Sequence, residues 1–322
     1  MDGLLNIYKE RGFTSHDVVA KLRGILKQKK IGHTGTLDPD AEGVLPVCLG
    51  KATKVCELLA DKDKTYRAVL LLGIETDTQD VTGHITARSS ADVNEKSVRE
   101  AVLSFVGPYA QVPPMYSALK VGGKKLYELA RQGKEIERAA RPVTIHEIII
   151  EKVELPRVTL TVTCSKGTYI RTLCHDIGKK LGCGGCMESL VRVRVADFRM
   201  EDALTLSQVE LLRDEAALEE KLISIDSLFP EYPAYRAAEG TEKLLYNGNP
   251  LKLSELDRGE EDRAGTDTGE ETENKAEEKI RLYDRRGQFM GIYSFDEAIR
   301  RYRPVKLFFT VSDGVMEERQ WN

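Results

Sequence analysis

The sequence is built around one stretch, GHTGTLDPDAEG, which spans residues 32–43. Glycine tolerates positive φ and proline favours turns, so this composition predicts a sharply bent loop that presents Asp38. Apolar segments lie on both sides, including VLPVCLG at residues 44–50, which predicts that a scaffold holds the loop. An alternative interpretation is an ordinary turn in which Asp38 only caps the residues that follow it.

Composition places the chain among globular proteins. It has 322 residues, of which 41% are hydrophobic and 31% charged, and this length allows two domains and a sizeable core. There is no apolar run of about 18 residues. The N-terminal segment MDGLLNIYKERG also lacks the basic and apolar regions of a secretory signal. These features predict a cytoplasmic protein with no membrane partner.

Charge is unevenly distributed along the chain. The net charge is −4, but residues 255–279 alone contain 11 acidic and 4 basic residues. Such an acidic insert predicts a disordered segment. Outside it, 44 Lys and Arg residues stand against 41 Asp and Glu residues. This mildly basic body permits binding of a nucleic-acid phosphate backbone.

Six cysteines in a chain without a secretory signal predict reduced thiols. The segment CHDIGKKLGCGGC, residues 174–186, raises a zinc hypothesis because it contains three cysteines and a histidine. Structural zinc sites normally show two tight ligand pairs, whereas Cys174 and His175 are adjacent and would point in different directions on a helix. We therefore expect no metal.

Local patterns predict both strands and helices. Thr14, followed by Asp17, predicts the N-cap of an amphipathic helix, and residues 65–73 form an apolar run typical of a buried strand. Residues 158–164 alternate apolar and threonine side chains, which predicts a half-buried antiparallel strand. The segment after them predicts a turn into a helix with Arg171 in its first turn.

Two basic segments are candidates for binding phosphate. Residues 113–141 combine lysine, arginine and tyrosine with glycines and prolines that interrupt regular secondary structure. This composition predicts a mobile, thumb-like flap. A solvated amphipathic helix is the alternative. Lys27, Lys29 and Lys30 precede the Asp38 loop and are a second candidate clamp, with a solvated helix end as the alternative.

The longer stretch GHTGTLDPDAEGVLPVCLGKATK resembles the signature of the TruB family of tRNA pseudouridine synthases. The similarity extends from Leu4 to about Gly185. It implies that Asp38 is the catalytic nucleophile and that the substrate is a uridine in the T-arm of tRNA, commonly U55. It also implies an α+β fold, in which helices flank a mixed, largely antiparallel sheet and a small β-rich PUA-like domain follows.

The resemblance also implies a domain organisation. We expect a pseudouridine synthase catalytic domain over residues 1–228, with the thumb-like RNA-binding insertion at about 113–141. The PUA-like domain is expected over residues 229–322, with the acidic insert at about 255–279. That insert is not part of the family pattern.

Further residues match the family pattern individually. Arg171 matches the arginine that pairs with the catalytic aspartate, and a guanidinium would keep Asp38 ionised when RNA covers the site. Tyr66 matches a tyrosine that stacks on the flipped base and assists proton removal from C5. Without the resemblance, Arg171 also fits a solvated helix face and Tyr66 a core position. His33 matches a histidine that contacts the displaced nucleotides. Tyr169 and Leu190 match residues that line the uridine pocket, and Asp80 matches an aspartate that helps to hold the active-site network.

The implied chemistry needs few groups. Pseudouridine formation breaks the N1–C1′ bond of uridine, turns the uracil and reattaches it through C5, with no net redox change. A carboxylate nucleophile is chemically sufficient, so we expect no cofactor. Glycoside hydrolysis requires a second carboxylate. Asp40 and Glu42 are candidates for that role, but nothing in the sequence marks either as a proton donor.

Three positions depart from the family pattern. Glu10 stands where a proline is expected, Cys186 where a histidine is expected, and Val191-Arg192 where paired arginines are expected. The leading hypothesis is a stand-alone tRNA pseudouridine synthase, monomeric and without an obligatory protein partner. The alternative is an RNA-binding or tRNA-folding factor in which catalysis is secondary.

Overall fold

The computed structural model describes residues 1–258 and 278–309. The strands are β1 (Gly3–Lys9), β2 (Ile31–His33), β3 (Glu42–Leu49), β4 (Lys64–Leu72), β5 (Ile74–Thr76), β6 (Ile85–Arg88), β7 (Gly107–Gln111), β8 (Lys120–Val121), β9 (Lys124–Lys125), β10 (Arg141–Glu154), β11 (Arg157–Cys164), β12 (Gly185–Val195), β13 (Phe198–Arg199), β14 (Ala234–Ala237), β15 (Leu256–Arg258), β16 (Lys279–Tyr283), β17 (Phe289–Asp296) and β18 (Arg301–Leu307). The α-helices are α1 (Ser15–Leu26), α2 (Cys56–Ala60), α3 (Glu95–Leu103), α4 (Leu126–Arg131), α5 (Ile170–Lys180), α6 (Leu206–Asp214) and α7 (Glu242–Tyr246).

One large sheet forms the body of the described chain. Its strands follow the order β1-β3-β12-β4-β11-β10-β7, and β2 and β13 pair with β3 and β12. The pairings are antiparallel except for the parallel pair of β3 and β12. Strand β12 therefore lies between β3, which starts just after Asp38, and β4, which carries Tyr66.

Helices bury the apolar faces of this sheet. Helices α3 and α5 pack on β4, β10 and β11 through a core that includes Val98, Leu160 and Leu173. Helices α1 and α6 pack on β1 and β3 through Val18 and Val209. Burial of this apolar surface is the main favourable contribution to folding, and it fixes the strand ends that carry the site.

Helix α1 begins as the sequence predicts. The Asp17 backbone N–H donates to Thr14 Oγ1 at 3.0 Å, and the Thr14 backbone N–H donates to the Asp17 carboxylate at 2.8 Å. This reciprocal pair is a capping box, which satisfies two backbone donors at the helix start.

A smaller sheet with the order β15-β14-β16-β17-β18 follows the large one. Its Ile292, together with Phe308, shares a core with Leu4 and Cys48 of the large sheet. Lys54 Nζ donates to the Leu307 carbonyl at 2.5 Å across the same contact. The two sheets are therefore joined by buried apolar contacts as well as hydrogen bonds.

The α+β fold class is confirmed, since helices flank a mixed, largely antiparallel sheet and a small β-rich unit follows. The boundary between residues 228 and 229 and the PUA likeness stay predictions. The acidic insert was expected to be disordered over about residues 255–279. At its two ends, β15 occupies Leu256–Arg258 and β16 begins at Lys279. Residues 259–277, the rest of that insert, lie outside the described residues.

The basic segment at residues 113–141 contains the short β8–β9 hairpin followed by α4. Its mobility and its role in binding RNA stay predictions. Within residues 1–258 and 278–309, no helix is long and apolar enough to cross a membrane.

Candidate active site

The loop that carries Asp38 is anchored in the core on both sides of that residue. Leu37 and Ala41 are 4% and 2% exposed and belong to the core under α5. The Leu37 backbone N–H donates to Ser15 Oγ at 3.0 Å, which ties the loop to the start of α1. The interpretation of a loop held by a scaffold is confirmed, because these contacts anchor Leu37 and Ala41 in the core on either side of Asp38.

Lys9 fastens the same loop from below. Its side chain is fully buried at the end of β1. Its Nζ donates to the carbonyls of Glu10, Pro39 and Ala41 at 3.2, 3.1 and 2.5 Å. Burial lowers the pKa of the Lys9 ammonium, and the nearby Glu42 carboxylate opposes this. A buried charge that satisfies three carbonyls holds the turn after Asp38 in one shape.

The structure brings together the two residues expected to form the catalytic pair. Arg171 Nε lies 3.1 Å from Asp38 Oδ2, and Arg171 Nη2 donates to Asp38 Oδ1 at 3.4 Å. Arg171 Nη1 lies 3.4 Å from Asp80 Oδ2 on the other side. The Arg171 side chain is 7% exposed, whereas the Asp38 side chain is 45% exposed. One guanidinium therefore bridges two carboxylates, and the partner that faces solvent is Asp38.

Backbone carbonyls fix the remaining edges of this guanidinium. Arg171 Nη1 donates to the Thr78 carbonyl at 3.2 Å, and Nη2 donates to the Tyr116 carbonyl at 2.9 Å. The side chain projects from the first turn of α5, as the sequence predicts. Because its partners come from three separate segments, the orientation of Arg171 depends on the whole fold and is pre-organised for a carboxylate at Asp38.

Asp80 is held as tightly as the arginine that it faces. Its Oδ1 accepts hydrogen bonds from Thr78 Oγ1 at 2.8 Å and from Thr82 N at 3.0 Å and Thr82 Oγ1 at 2.5 Å. The Val81 backbone N–H donates to the Met187 carbonyl at 3.0 Å, which docks this loop on β12. These contacts place Asp80 beside Arg171, on the side of the guanidinium away from Asp38. Its role in an active-site network stays a prediction.

Burial and neighbouring charges act on Asp38 in opposite directions. Desolvation raises the pKa of the Asp38 carboxyl above its ordinary value. Arg171 lowers this pKa and Asp80 raises it, and the net result remains a raised pKa. The guanidinium thus offsets only part of the cost of keeping this carboxylate charged.

Tyr66 and Arg192 lie together on neighbouring strands. The two residues face each other in the register of β4 and β12. Burial raises the pKa of the Tyr66 hydroxyl, and the adjacent Arg192 guanidinium opposes that rise. The Asp38 carboxylate also raises the pKa of this hydroxyl. The stacking role expected of Tyr66 stays a prediction.

His33 lies at the entrance to the loop. Its Nδ1 accepts from the Gly35 backbone N–H at 3.3 Å, and its ring contacts the His16 ring edge-on with centroids 5.3 Å apart. Burial lowers the pKa of His33, and the His16 and Arg192 charges lower it further. A neutral ring with Nδ1 as acceptor is consistent with both observations.

The two residues expected to line a uridine pocket occupy different environments. Tyr169 is the N-cap of α5, and its backbone N–H and carbonyl both bind the Gln111 side chain, at 2.8 and 2.9 Å. Leu190 lies on β12 in the core that Tyr66 also contacts. Tyr169 is therefore fixed through its backbone, and Leu190 provides an apolar surface beside Tyr66.

Within residues 1–258 and 278–309, no three His, Cys, Asp or Glu side chains are grouped to hold a metal ion, so the zinc hypothesis gains no support. A cavity of about 890 Å³ is lined by residues such as Asn6, Arg194 and Leu222, and Asp38 is not among them.

Three contributors to the site were missed from the sequence. The first two, Lys9 and Arg192, are charged residues that the structure buries within strands. The third, Gln111, ends an edge strand and shows no signal in the sequence. A charged side chain within an otherwise buried strand was the available clue for the first two.

The fold of this chain is also found in solved structures. A chain of the structure titled as an H/ACA RNP bound to a substrate RNA containing 2′-deoxyuridine superposes with a TM-score of 0.67 at 22% identity, covering 96% of this chain and 86% of that one. A chain of an archaeal box H/ACA sRNP complex gives 0.66, again at 22% identity and with the same coverage. This chain therefore shares its fold with those two chains.

The family follows from sequence comparison. Residues 23–170 match the model of the TruB family pseudouridylate synthase N-terminal domain, and residues 171–229 match that of the tRNA pseudouridylate synthase B C-terminal domain. The tRNA pseudouridine synthase B of Lachnoclostridium phytofermentans is 53% identical over 96% of this chain and 100% of its own length. That of Bacillus licheniformis is 46% identical over 78% of this chain and 84% of its own length. The chain belongs to the TruB family of pseudouridylate synthases, which are isomerases.

Proposed function

We propose that this chain isomerises a uridine in the T-arm of tRNA, U55, to pseudouridine. The observation that carries the proposal is the Asp38 carboxylate, held on an anchored loop at 3.1 Å from the buried Arg171 and 45% exposed. A carboxylate nucleophile must be charged, correctly placed and accessible. Asp38 is placed by its loop and is accessible, and Arg171 favours its charged form.

The reaction conserves atoms and electrons. Asp38 acts on the nucleotide as the N1–C1′ bond breaks, the uracil turns, and a C5–C1′ bond forms. C5 then loses its proton while N1 gains one, so the product is an isomer of the substrate. Tyr66 lies beside Arg192 and within the electrostatic reach of Asp38, which suits it to stack on the base and assist removal of the C5 proton.

Access to uridine within a folded RNA requires base flipping. Extruding a nucleotide costs on the order of a few kcal/mol, and stacking on an aromatic ring returns roughly 1 to 3 kcal/mol. Tyr66 supplies the ring, Leu190 the apolar wall, and Tyr169 a second aromatic group at the start of α5. His33, at the loop entrance, is placed to contact the nucleotides that the flip displaces.

The basic segment at residues 113–141 is proposed to grip the RNA backbone. Lys120 and Lys124 lie on its β8–β9 hairpin and are exposed. Tyr116, near the start of the same segment, accepts a hydrogen bond from Arg171 through its carbonyl. Binding of RNA to the segment would thus be transmitted to the catalytic pair. We propose that the chain acts as a monomer in the cytoplasm, without a protein partner.

The deciding experiment uses a T-arm stem-loop in which the candidate uridine carries tritium at C5. Isomerisation releases this tritium to water, so each turnover is counted directly. We expect the wild-type chain to release it and Asp38→Asn to release none above background. Asp40→Asn is the matched control, because Asp40 lies on the same loop but pairs with the exposed Arg11 at 3.4 Å.

Two results would contradict the proposal. Turnover by Asp38→Asn close to the wild-type rate would rule out Asp38 as the nucleophile. An equal loss of turnover in Asp40→Asn would show that any charge change on the loop is damaging. If the wild-type chain binds the stem-loop tightly and releases no tritium, the RNA-binding interpretation is the better one.

A further inference from the structure

Arg192 is a buried cation without an acidic partner among the described residues. Arg192 is 1% exposed. Of the ion pairs within residues 1–258 and 278–309, none involves this guanidinium. Its hydrogen bonds go to two backbone carbonyls, and Tyr66 faces Arg192 in the pairing of β4 and β12. Burial of this charge costs free energy, because no carboxylate compensates for its desolvation. Its position therefore calls for an explanation.

The carbonyl partners of Arg192 lie on both limbs of the Asp38 loop. Nε donates to the Val44 carbonyl at 2.8 Å, after Asp38, and Nη2 donates to the Gly35 carbonyl at 3.2 Å, before it. The guanidinium therefore spans the base of the loop from inside the protein. Its planar fork suits two acceptors in fixed directions.

The backbone of Arg192 makes the same connection. It pairs with Gly43 of β3 on one side and with Tyr66 of β4 on the other. Gly43 has φ +107°, and a Cβ there would lie 2.2 Å from the Arg192 carbonyl oxygen, so only glycine permits this approach. Main chain and side chain of one residue thus join the loop that carries Asp38 to the strand that carries Tyr66.

We propose that Arg192 is a positioning residue for the isomerisation: its guanidinium fixes the Asp38 carboxylate and the Tyr66 hydroxyl relative to each other. This inference rests on the proposed function and deepens it. Asp38 acts at the sugar while Tyr66 acts at the base, so the rate depends on both groups reaching one flipped nucleotide together. A misplacement of about 1 Å between such groups can lower the rate by about 10²-fold.

Arg192→Met is the first test, measured under single-turnover conditions on the tritiated stem-loop. We expect the rate constant to fall by about 10²-fold while the Kd for the stem-loop stays within about twofold of wild type. Arg192→Lys keeps the positive charge but not the planar guanidinium with its two directed donors, and it should recover part of the rate. Arg194→Met is the matched control, because Arg194 lies on the same strand and binds Thr65 Oγ1 and the Ala196 carbonyl instead.

A double-mutant cycle with Tyr66→Phe separates positioning from simple structural support. If Arg192 acts through the Tyr66 hydroxyl, Arg192→Met costs less in the Tyr66→Phe background than in wild type. Equal costs in both backgrounds, or a loss confined to Kd or to melting temperature, overturn the inference. An inactive wild-type chain overturns the proposed function instead, so the two failures are distinguishable. Should Arg192→Met not fold, the cycle is run with Arg192→Lys.

Discussion

Arg171 contacts Asp38 through both Nε and Nη2, at 3.1 and 3.4 Å, while its Nη1 faces Asp80 at 3.4 Å. The guanidinium is therefore shared between the proposed nucleophile and a second carboxylate that is better buried. Sharing limits how far Arg171 can lower the pKa of Asp38, and desolvation leaves that pKa raised. The arrangement favours precise placement of the Asp38 oxygens over maximal stabilisation of their charge.

The first prediction concerns Arg171→Met and the pH dependence of catalysis. Activity needs ionised Asp38 and is lost as pH falls through its raised pKa. Removing Arg171 takes away a group that lowers this pKa, so the acidic limb of kcat/KM should move to higher pH. We also expect kcat near neutral pH to fall by about 10²-fold. Arg157→Met, which removes an exposed pair with Glu188, should leave the profile unchanged.

The second prediction concerns Asp38→Asn and stability. A carboxyl whose pKa is raised in the folded state binds protons more tightly there than in the unfolded chain, so its ionisation lowers stability as pH rises through this window. Asp38→Asn should therefore melt at a higher temperature than wild type near neutral pH. The difference should shrink towards acidic pH, where wild-type Asp38 is protonated. A lower melting temperature for the variant at every pH would contradict this account.

The third prediction concerns Asp80→Ala. This change removes the acceptor of three hydrogen bonds in its own loop and one flank of Arg171. We expect the free energy of unfolding to drop by about 1.5 to 3 kcal/mol, as for hydrogen bonds to a charged group, together with a clear loss of kcat. Asp77→Ala is the control, since Asp77 accepts from the His84 N–H at 2.8 Å in the same loop. A variant that loses stability but keeps full kcat would show that Asp80 does not position Arg171.

The fourth prediction concerns Lys9→Met, which leaves the carbonyls of Glu10, Pro39 and Ala41 without their shared donor. Unsatisfied buried acceptors cost about 1 to 3 kcal/mol, so chemical denaturation should show a loss of that size. The activity should fall as well, because the turn after Asp38 loses its fastening. Lys152→Met, which removes an exposed pair with Glu154 on β10, should change neither quantity appreciably.

The fifth prediction concerns the basic hairpin. Changing Lys120 and Lys124 to alanine should weaken binding of the stem-loop and reduce its salt dependence. The slope of log Kd against log salt concentration should fall by about 1 for each phosphate that is no longer neutralised. Binding titrations at several salt concentrations measure this slope. Lys96→Ala, which removes an exposed pair with Glu100 on α3, is the control. An unchanged slope in the hairpin variant would place the RNA backbone elsewhere.

Sequence reasoning located the loop that carries Asp38 because its signal is local. The glycine and proline pattern of residues 32–43 predicts a bent loop by itself, and the capping box at Thr14 and Asp17 is complete within four residues. The resemblance then joined Asp38 to Arg171, which lies 133 residues further along the chain. No spacing rule relates two residues at such a distance, since their approach depends on strand order.

The site residues that the sequence did not reveal were missed for a different reason. Lys9 and Arg192 act through backbone carbonyls, and every residue carries a carbonyl, so no pattern of side chains marks the partner. The first end of the acidic insert shows a related effect. Leu256–Arg258 carry only one apolar side chain, yet they gain order by pairing with β14.

The amino-acid sequence by itself determined the loop that presents Asp38, the helix start that precedes it and the alternating strands, since each depends on neighbouring residues. Only the tertiary structure decided that one guanidinium is divided between two carboxylates, and that Arg192 fastens the loop to the strand of Tyr66. Those contacts join segments distant in the chain, and their energies depend on burial, which a sequence does not display.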